Sequence, residues 1–293
     1  MNMTTSQTRM NPQMKNKRRV SMKRRWLTAP YIIWMLLFTI VPLCIVIYFA
    51  FTDSVTGAFT FANIVSILDY ASIFLRSIWL SVAATLLCLI IGYPVAYTIA
   101  QCKPRTQRIL QMLIMLPMCL SFLLRTLAWV ALLEDTGILN SLITSIGLKP
   151  LPLIRNSGAV ILGMVYNYLP YMILPLYSSI SKINPKLVEA AEDLGCSRRQ
   201  SFTKVILPLS TPGIASGITM VFVPAVSTFY ISQKLGSPGT IMVGDVIESQ
   251  FKGAYNPNLG AAMSLILLIL IFICIGLSNR VTKQHGSEEV TPL

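Results

Sequence analysis

The chain has 293 residues, 54% of them hydrophobic and only 12% charged, with a formal net charge of +13. A soluble domain carries about a quarter charged residues, so the composition excludes a water-solvated globule and makes lipid the main solvent. The positive charge gathers at the ends of apolar runs, which assigns it to a membrane surface rather than to nucleic acid.

Residues 1–26 form a basic arm carrying Arg9, Lys15, Lys17, Arg18, Arg19, Lys23, Arg24 and Arg25 and no acid. The apolar run after it exceeds the roughly 7 to 15 residues of a secretory signal core and has no persuasive small-residue cleavage site, so it is expected to remain as an anchor. Six apolar segments are read near 27–51, 77–101, 108–133, 157–181, 209–231 and 259–279. Each is close to the roughly 20 residues that cross a bilayer core. Residues 27–281 then make one all-α transmembrane domain, followed by a short tail, 282–293. Kinks are expected at Pro42, Pro94, Pro117, Pro170, Pro175 and Pro224, because lipid-embedded helices tolerate proline where neighbours satisfy the freed carbonyls.

With the N-terminus inside, Lys103, Arg105, Arg108, Lys182, Lys186, Arg198, Arg199, Lys204, Arg280 and Lys283 join the basic arm on the cytoplasmic side. Only Lys149, Arg155, Lys234 and Lys252 fall in outside loops. The positive-inside rule selects this orientation, with both termini cytoplasmic. Arg125 is the one charge placed well inside an apolar run, and such charges are costly enough to be functional by default. It is expected to pair with a carboxylate or with backbone carbonyls, setting a gate or a contact with a partner chain.

Two outside loops stand out by length. Residues 134–156 hold Ile138, Leu139, Leu142, Ile143 and Ile146 before Gly147, the pattern of a short surface helix. Residues 232–258 hold Gly236, Pro238, Gly239, Asp245, Glu248 and Tyr255 and read as a turn plus a short helix. Either loop lines an entrance or caps the bundle.

The inside connection from Ser181 to Pro208 is too long for a turn and too polar to cross lipid. Asn184-Pro185 supplies an N-cap and a first-turn proline, and Gly195 a stop, giving a helix near 185–194. Leu187, Ala190, Ala191 and Leu194 share one face, with Lys186, Glu189, Glu192 and Asp193 beside it. Ser197 caps a second helix carrying Arg198, Arg199 and Lys204 outward, which Leu207-Pro208 is expected to end. The pattern alone fits either a docking element or an amphipathic helix on headgroups.

Glu189-Ala190-Ala191, Gly195 four positions later, and Val205-Ile206-Leu207-Pro208 resemble the EAA signature of binding-protein-dependent ABC importer permeases, with Val205 in place of an isoleucine. The resemblance implies the type I permease fold in a bacterial inner membrane, working by alternating access. It also implies an ATPase-coupling role for Glu189, Ala190, Ala191, Gly195, Leu207 and Pro208. The stretches 166–183, 187–195 and 220–232, and the tract 115–125, look like the spermidine/putrescine permeases of that superfamily, a likeness running from about residue 27 to 280. The implied partners are a second permease, an ATPase homodimer that binds ATP and Mg, and an extracytoplasmic binding protein. No cofactor is expected on this chain.

Polyamines are linear cations, so their path should offer aromatic faces and polar walls. Tyr166, Asn167, Tyr168, Tyr171, Phe229 and Tyr230 are the candidates, with Glu134, Asp135 and Asp245 as outer cation contacts. Gln233-Lys234 stands where some polyamine permeases carry an acid. An enzyme is not indicated, since His285 is the only histidine and no Walker, GxSxG or HExxH motif occurs. Cys44, Cys88, Cys102, Cys119, Cys196 and Cys274 show no metal-ligand spacing. Alternative readings are an importer permease for sulfate, phosphonate or iron, or an ATP-independent secondary carrier.

Overall fold

Apolar stretches in lipid must close their backbone hydrogen bonds internally, and helices do this within one segment. The computed structural model describes residues 30–54, 56–253 and 256–286, apart from the side chains of 278, 279 and 281–286. The basic arm 1–26, residues 287–293 of the tail, and Tyr255 lie outside the described residues. The main helices are α1 (Pro30–Ala50), α2 (Ala71–Gln101), which the short helix Ala62–Val65 and a 3-10 turn Ser66–Tyr70 lead into, α3 (Pro104–Met115), α4 (Phe122–Leu133), α5 (Ile138–Ser145), α6 (Ser157–Ile180), α7 (Pro185–Asp193), α8 (Arg198–Leu209), α9 (Thr211–Val226), α10 (Tyr230–Leu235), α11 (Val243–Lys252) and α12 (Pro257–Gly286). Four helical stretches are long and apolar enough to cross a membrane, and two bent pairs bring the spans to six if each pair counts as one.

The centre is a bundle of α2, α6 and α9, packed against one another. Small residues allow the close approach that lipid-embedded helices need to gain packing energy. A Cβ on Gly217 would stand 2.6 Å from the Met172 sulfur, and one on Gly213 2.9 Å from the Pro175 carbonyl. Three hydroxyls on α2 donate to their own helix: Ser77 to Ile73, Ser81 to Ser77 and Thr85 to Ser81, at 2.7–2.8 Å. A second cluster joins Phe222 and Val226 of α9 to Val243 and Val246 of α11, Ala261 to Met263 of α12, and Ala50 of α1. α1 otherwise keeps nearly all its large side chains exposed, Trp34, Leu37 and Ile45 among them, a face for lipid or another chain.

The third and fifth segments depart from the sequence reading. Residues 108–133 are not one continuous span: Leu116–Cys119 is a 3-10 turn around Pro117, Leu120 is extended, and the stretches Pro104–Cys119 and Phe122–Ser145 on either side are bent by 86°. Pro117 has no N–H to give the preceding turn, which ends α3 there. The fifth segment stops at Val226, where Gly244 lies so close that a Cβ on it would stand 2.7 and 2.5 Å from the Ser227 and Thr228 carbonyls. The chain restarts as α10 at Tyr230. Leu207-Pro208 closes α8 as read, to within a residue: the helix ends at Leu209 and meets α9 at a bend of 62°. A π-turn over Phe202–Ile206 opens the backbone ahead of Pro208, so the missing donor is absorbed. α2, α6 and α9 run on through Pro94, Pro170, Pro175 and Pro224.

Candidate coupling and translocation sites

α7 and α8 form the expected helix-turn-helix, and its joint is built from backbone geometry. Asn184 accepts from the Lys186 N–H at 3.1 Å, with Pro185 in the first turn. Gly195 has φ +88°, a left-handed value that favours glycine. Its N–H donates to the Glu192 carbonyl at 2.9 Å and that of Cys196 to Ala191 at 3.0 Å, the paired bonds of a Schellman ending. Ser197 and Gln200 then cap α8 reciprocally.

The apolar face of α7 is uncovered. Leu194 is 87% exposed and Leu187 48%, and Glu189 and Ala190 are exposed beside them. Val188 and Ala191 are half-buried, and a pocket of about 440 Å³ under α7 is lined by Val188, Glu189, Ile183 and Ile206 with Tyr97 and Ala100 of α2. Leu207 and Pro208 are exposed in the last turn of α8, just before the bend into α9.

α8 is fastened to the bundle by Phe202. Its ring meets Tyr93 and Tyr97 of α2 edge-on, with centroids 5.6 and 5.4 Å apart. The Tyr93 hydroxyl lies 2.8 Å from the Ser210 hydroxyl, at the bend into α9. Nearby, Tyr177 donates to Gln107, whose amide donates to the Ala100 and Cys102 carbonyls. This clasp was readable in sequence only as Tyr93 and Tyr97 at helical spacing, because nothing local says which residue they receive.

In the interior the path candidates separate. Tyr166 packs its ring on Trp129 of α4 at 5.4 Å, and Tyr168 is buried with its hydroxyl 3.3 Å from the Pro224 carbonyl. Tyr171 is 40% exposed. Asn167 is buried; its amide donates to the Gly163 carbonyl at 2.9 Å, while Oδ1 has no partner. Arg125 is 91% enclosed, being 9% exposed, and its Nε and Nη1 have no acceptor. Among the described residues no carboxylate reaches it; the sole salt bridge is Lys252–Glu248 at 2.7 Å.

At the end opposite α7, Glu134 and Asp135 are exposed just after α4. Phe229 is 41% exposed and lines a groove with Ile247, Glu248 and Leu267; Tyr230 faces Phe122 at 6.3 Å and carries Lys234 over its ring at 5.8 Å. Asp245, by contrast, is buried at 8% exposure, its Oδ2 taking the Met242 N–H at 2.7 Å to start α11. Burial pushes its carboxyl up to about 6 against the Met242 bond, and the Glu248 charge adds to the rise.

Residues 89–283 match the family of binding-protein-dependent transport system inner membrane components. The chain belongs to this family. Within it, this permease is 36% identical over 259 residues to the spermidine/putrescine transport system permease protein PotB of Haemophilus influenzae, covering 85% of this chain and 91% of that protein. Its identity to the Escherichia coli PotB is 35% over 247 residues, covering 81% and 90%. Among solved structures, the permease fold resembles a chain of a bacterial ABC transporter involved in import of the acidic polysaccharide alginate, with a TM-score of 0.73, 20% identity, and 94% and 99% of the two chains covered. A chain of the MetNI methionine ABC transporter follows at a TM-score of 0.57 and 15% identity, over 74% and 95%. At these identities the likeness is one of fold. The fold is that of type I ABC importer permeases, and the chain is a multi-pass inner-membrane protein.

Proposed function

We propose that this permease is a translocating subunit of an ATP-driven polyamine importer, moving spermidine and putrescine by alternating access. The observation that carries the cargo is the identity of more than a third to a spermidine/putrescine permease over most of both chains. The uncovered face of α7, with Leu194 at 87% exposure, supports docking to a separate ATPase homodimer that binds and hydrolyses ATP with Mg. A second, similar permease and an extracytoplasmic binding protein complete the assembly. The termini and α7 are assigned to the cytoplasm and Asp245 to the outer side by the distribution of Lys and Arg.

Arg125 is assigned to the contact with the second permease. A guanidinium enclosed in a membrane bundle with no acceptor for two of its nitrogens needs a counter-charge, and the described acids of this chain leave it unpaired. Arg125→Ala should lower recovery of the second permease through an affinity tag on this chain by at least about tenfold, the scale of a buried charge pair; unchanged recovery and uptake would remove this role. The same unpaired cation favours an anionic cargo as the second reading.

The deciding experiment is ATP-dependent uptake of labelled spermidine into proteoliposomes holding the complete importer, with putrescine and sulfate as competitors. Saturable uptake blocked by putrescine alone is the expected result. ATP hydrolysis with sulfate uptake and no spermidine uptake would transfer the assignment to the second reading.

A further inference from the structure

Between α10 and α11 lies a cleft of about 420 Å³ walled by Ser232, Gln233, Ser237, Ile241, Asp245 and Ser249. Asp245 is more than nine-tenths buried there, and its Oδ1 has no hydrogen-bond donor. An enclosed acceptor left empty costs about 1–3 kcal/mol, and more when charged. The polar neighbours relieve it only in part, since burial still outweighs them. The Ser232 hydroxyl donates to the Phe229 carbonyl at 2.9 Å and the Gln233 amide gives one hydrogen to Glu248; both side chains stand close enough to favour the charged Asp245 carboxylate, but neither makes a hydrogen bond to Oδ1. Lys234, the cation on α10, is turned over the Tyr230 ring.

One turn further along α11, Glu248 already holds an ammonium, the Lys252 Nζ at 2.7 Å. Asp245 has the same chemistry without the cation. A divalent metal would require several oxygen ligands in a tight shell, whereas the cleft wall offers one carboxylate among hydroxyls, an amide and aliphatic carbon. That mixture suits an alkylammonium, whose charged head takes the carboxylate while its methylenes lie against Ile241 and the rest of the wall.

We propose that this cleft is a binding site for a primary ammonium group, with the Asp245 carboxylate as its counter-charge, and that a polyamine makes its first contact with this chain there. The inference rests on the polyamine reading above and adds the place of contact.

The test is a titration of the complete importer, in nanodiscs and without its binding protein, with radiolabelled spermidine. Asp245→Asn keeps an oxygen for the Met242 N–H and removes only the charge, so assembly and ATP hydrolysis should persist while spermidine affinity falls at least about tenfold. Spermidine should also protect Asp245 of the wild-type importer from carbodiimide amidation, a readout that needs no variant. An unchanged affinity in Asp245→Asn together with no protection overturns the site. Unchanged spermidine affinity with weaker capture of the binding protein also overturns it, by giving the ammonium to a lysine of that protein. A wild type that imports spermidine yet does not bind it in this titration sinks the cleft alone, whereas one that neither imports nor binds it sinks the polyamine reading as well.

Discussion

Gly195 is where a single residue decides the shape of the α7–α8 turn. A Cβ there would meet nothing within 4 Å, so the requirement is its φ of +88° and not space. Gly195→Ala should therefore cost about 1–2 kcal/mol in the turn, and Gly195→Asn less, because asparagine tolerates left-handed backbone. Uptake rates ordered glycine, asparagine, alanine at equal membrane levels would check this. Asp245 carries a second prediction at this scale. Its folded value of about 6 lies above the ordinary 3.8, so between those values the folded chain binds more protons than the unfolded one. Its burial therefore costs nothing below about pH 4 and is felt in full above about pH 6, at up to about 3 kcal/mol. Thermal unfolding in detergent should show the wild type losing more stability than Asp245→Asn as pH rises from 4 to 7. The burial of Asp245 was not legible in sequence, where a charge in a polar loop reads as solvated; only its place three residues after Met242, at the start of α11, hinted at a cap.

Among the elements, those set by local chemistry were legible. Asn184-Pro185, Gly195 and Ser197 marked the limits of α7 and the start of α8, and the surface helix α5 ends as read, with Gly147 at φ +86°. Breaks set by tertiary contact were not. The stop of α9 at Val226 depends on α11 arriving against Ser227 and Thr228 from elsewhere in the chain. Pro117 was read as a kink, but the full 86° turn also needs Leu120 extended. The Phe202 clasp belongs to this scale too. Phe202→Ala removes two edge-on ring contacts and partly buried area, a loss of about 2 kcal/mol. The expected phenotype is ATP hydrolysis retained with uptake reduced, measured on the same proteoliposomes; equal loss of both would mean that the clasp serves folding only.

For the whole molecule, the distribution of exposed apolar surface separates two kinds of boundary. Along α1 and the outer flank of α4 it is continuous and carries no charge, as lipid or a second transmembrane chain would require. On α7 it is confined to Leu187, Ala190 and Leu194 and bordered by Lys186, Glu189, Glu192 and Asp193, the arrangement of a protein contact with an apolar centre and polar rim. Leu194→Glu should leave membrane insertion unchanged and reduce co-purification of the ATPase by about tenfold or more, read by affinity capture from solubilised membranes. The class of this molecule and the helix-turn-helix of α7 and α8 were legible because lipid and helical periodicity constrain them residue by residue, whereas the six spans read in sequence are met only if each bent pair counts as one. The counter-charge of Arg125 was not, since the described chain contains none within reach.

The 62° bend at Ser210 also fixes a scale of displacement. At 1.5 Å per residue, α8 is an arm about 18 Å long, hinged where Tyr93 meets Ser210 and braced where Phe202 sits between two tyrosines. A tilt of about 10° about that hinge carries the far end, with α7 attached, through about 3 Å, roughly two residues of helical rise. If α7 docks to an ATPase as proposed, coupling through such an elbow asks for little travel there, and its stroke can be measured as a change in distance between probes on α7 and α2.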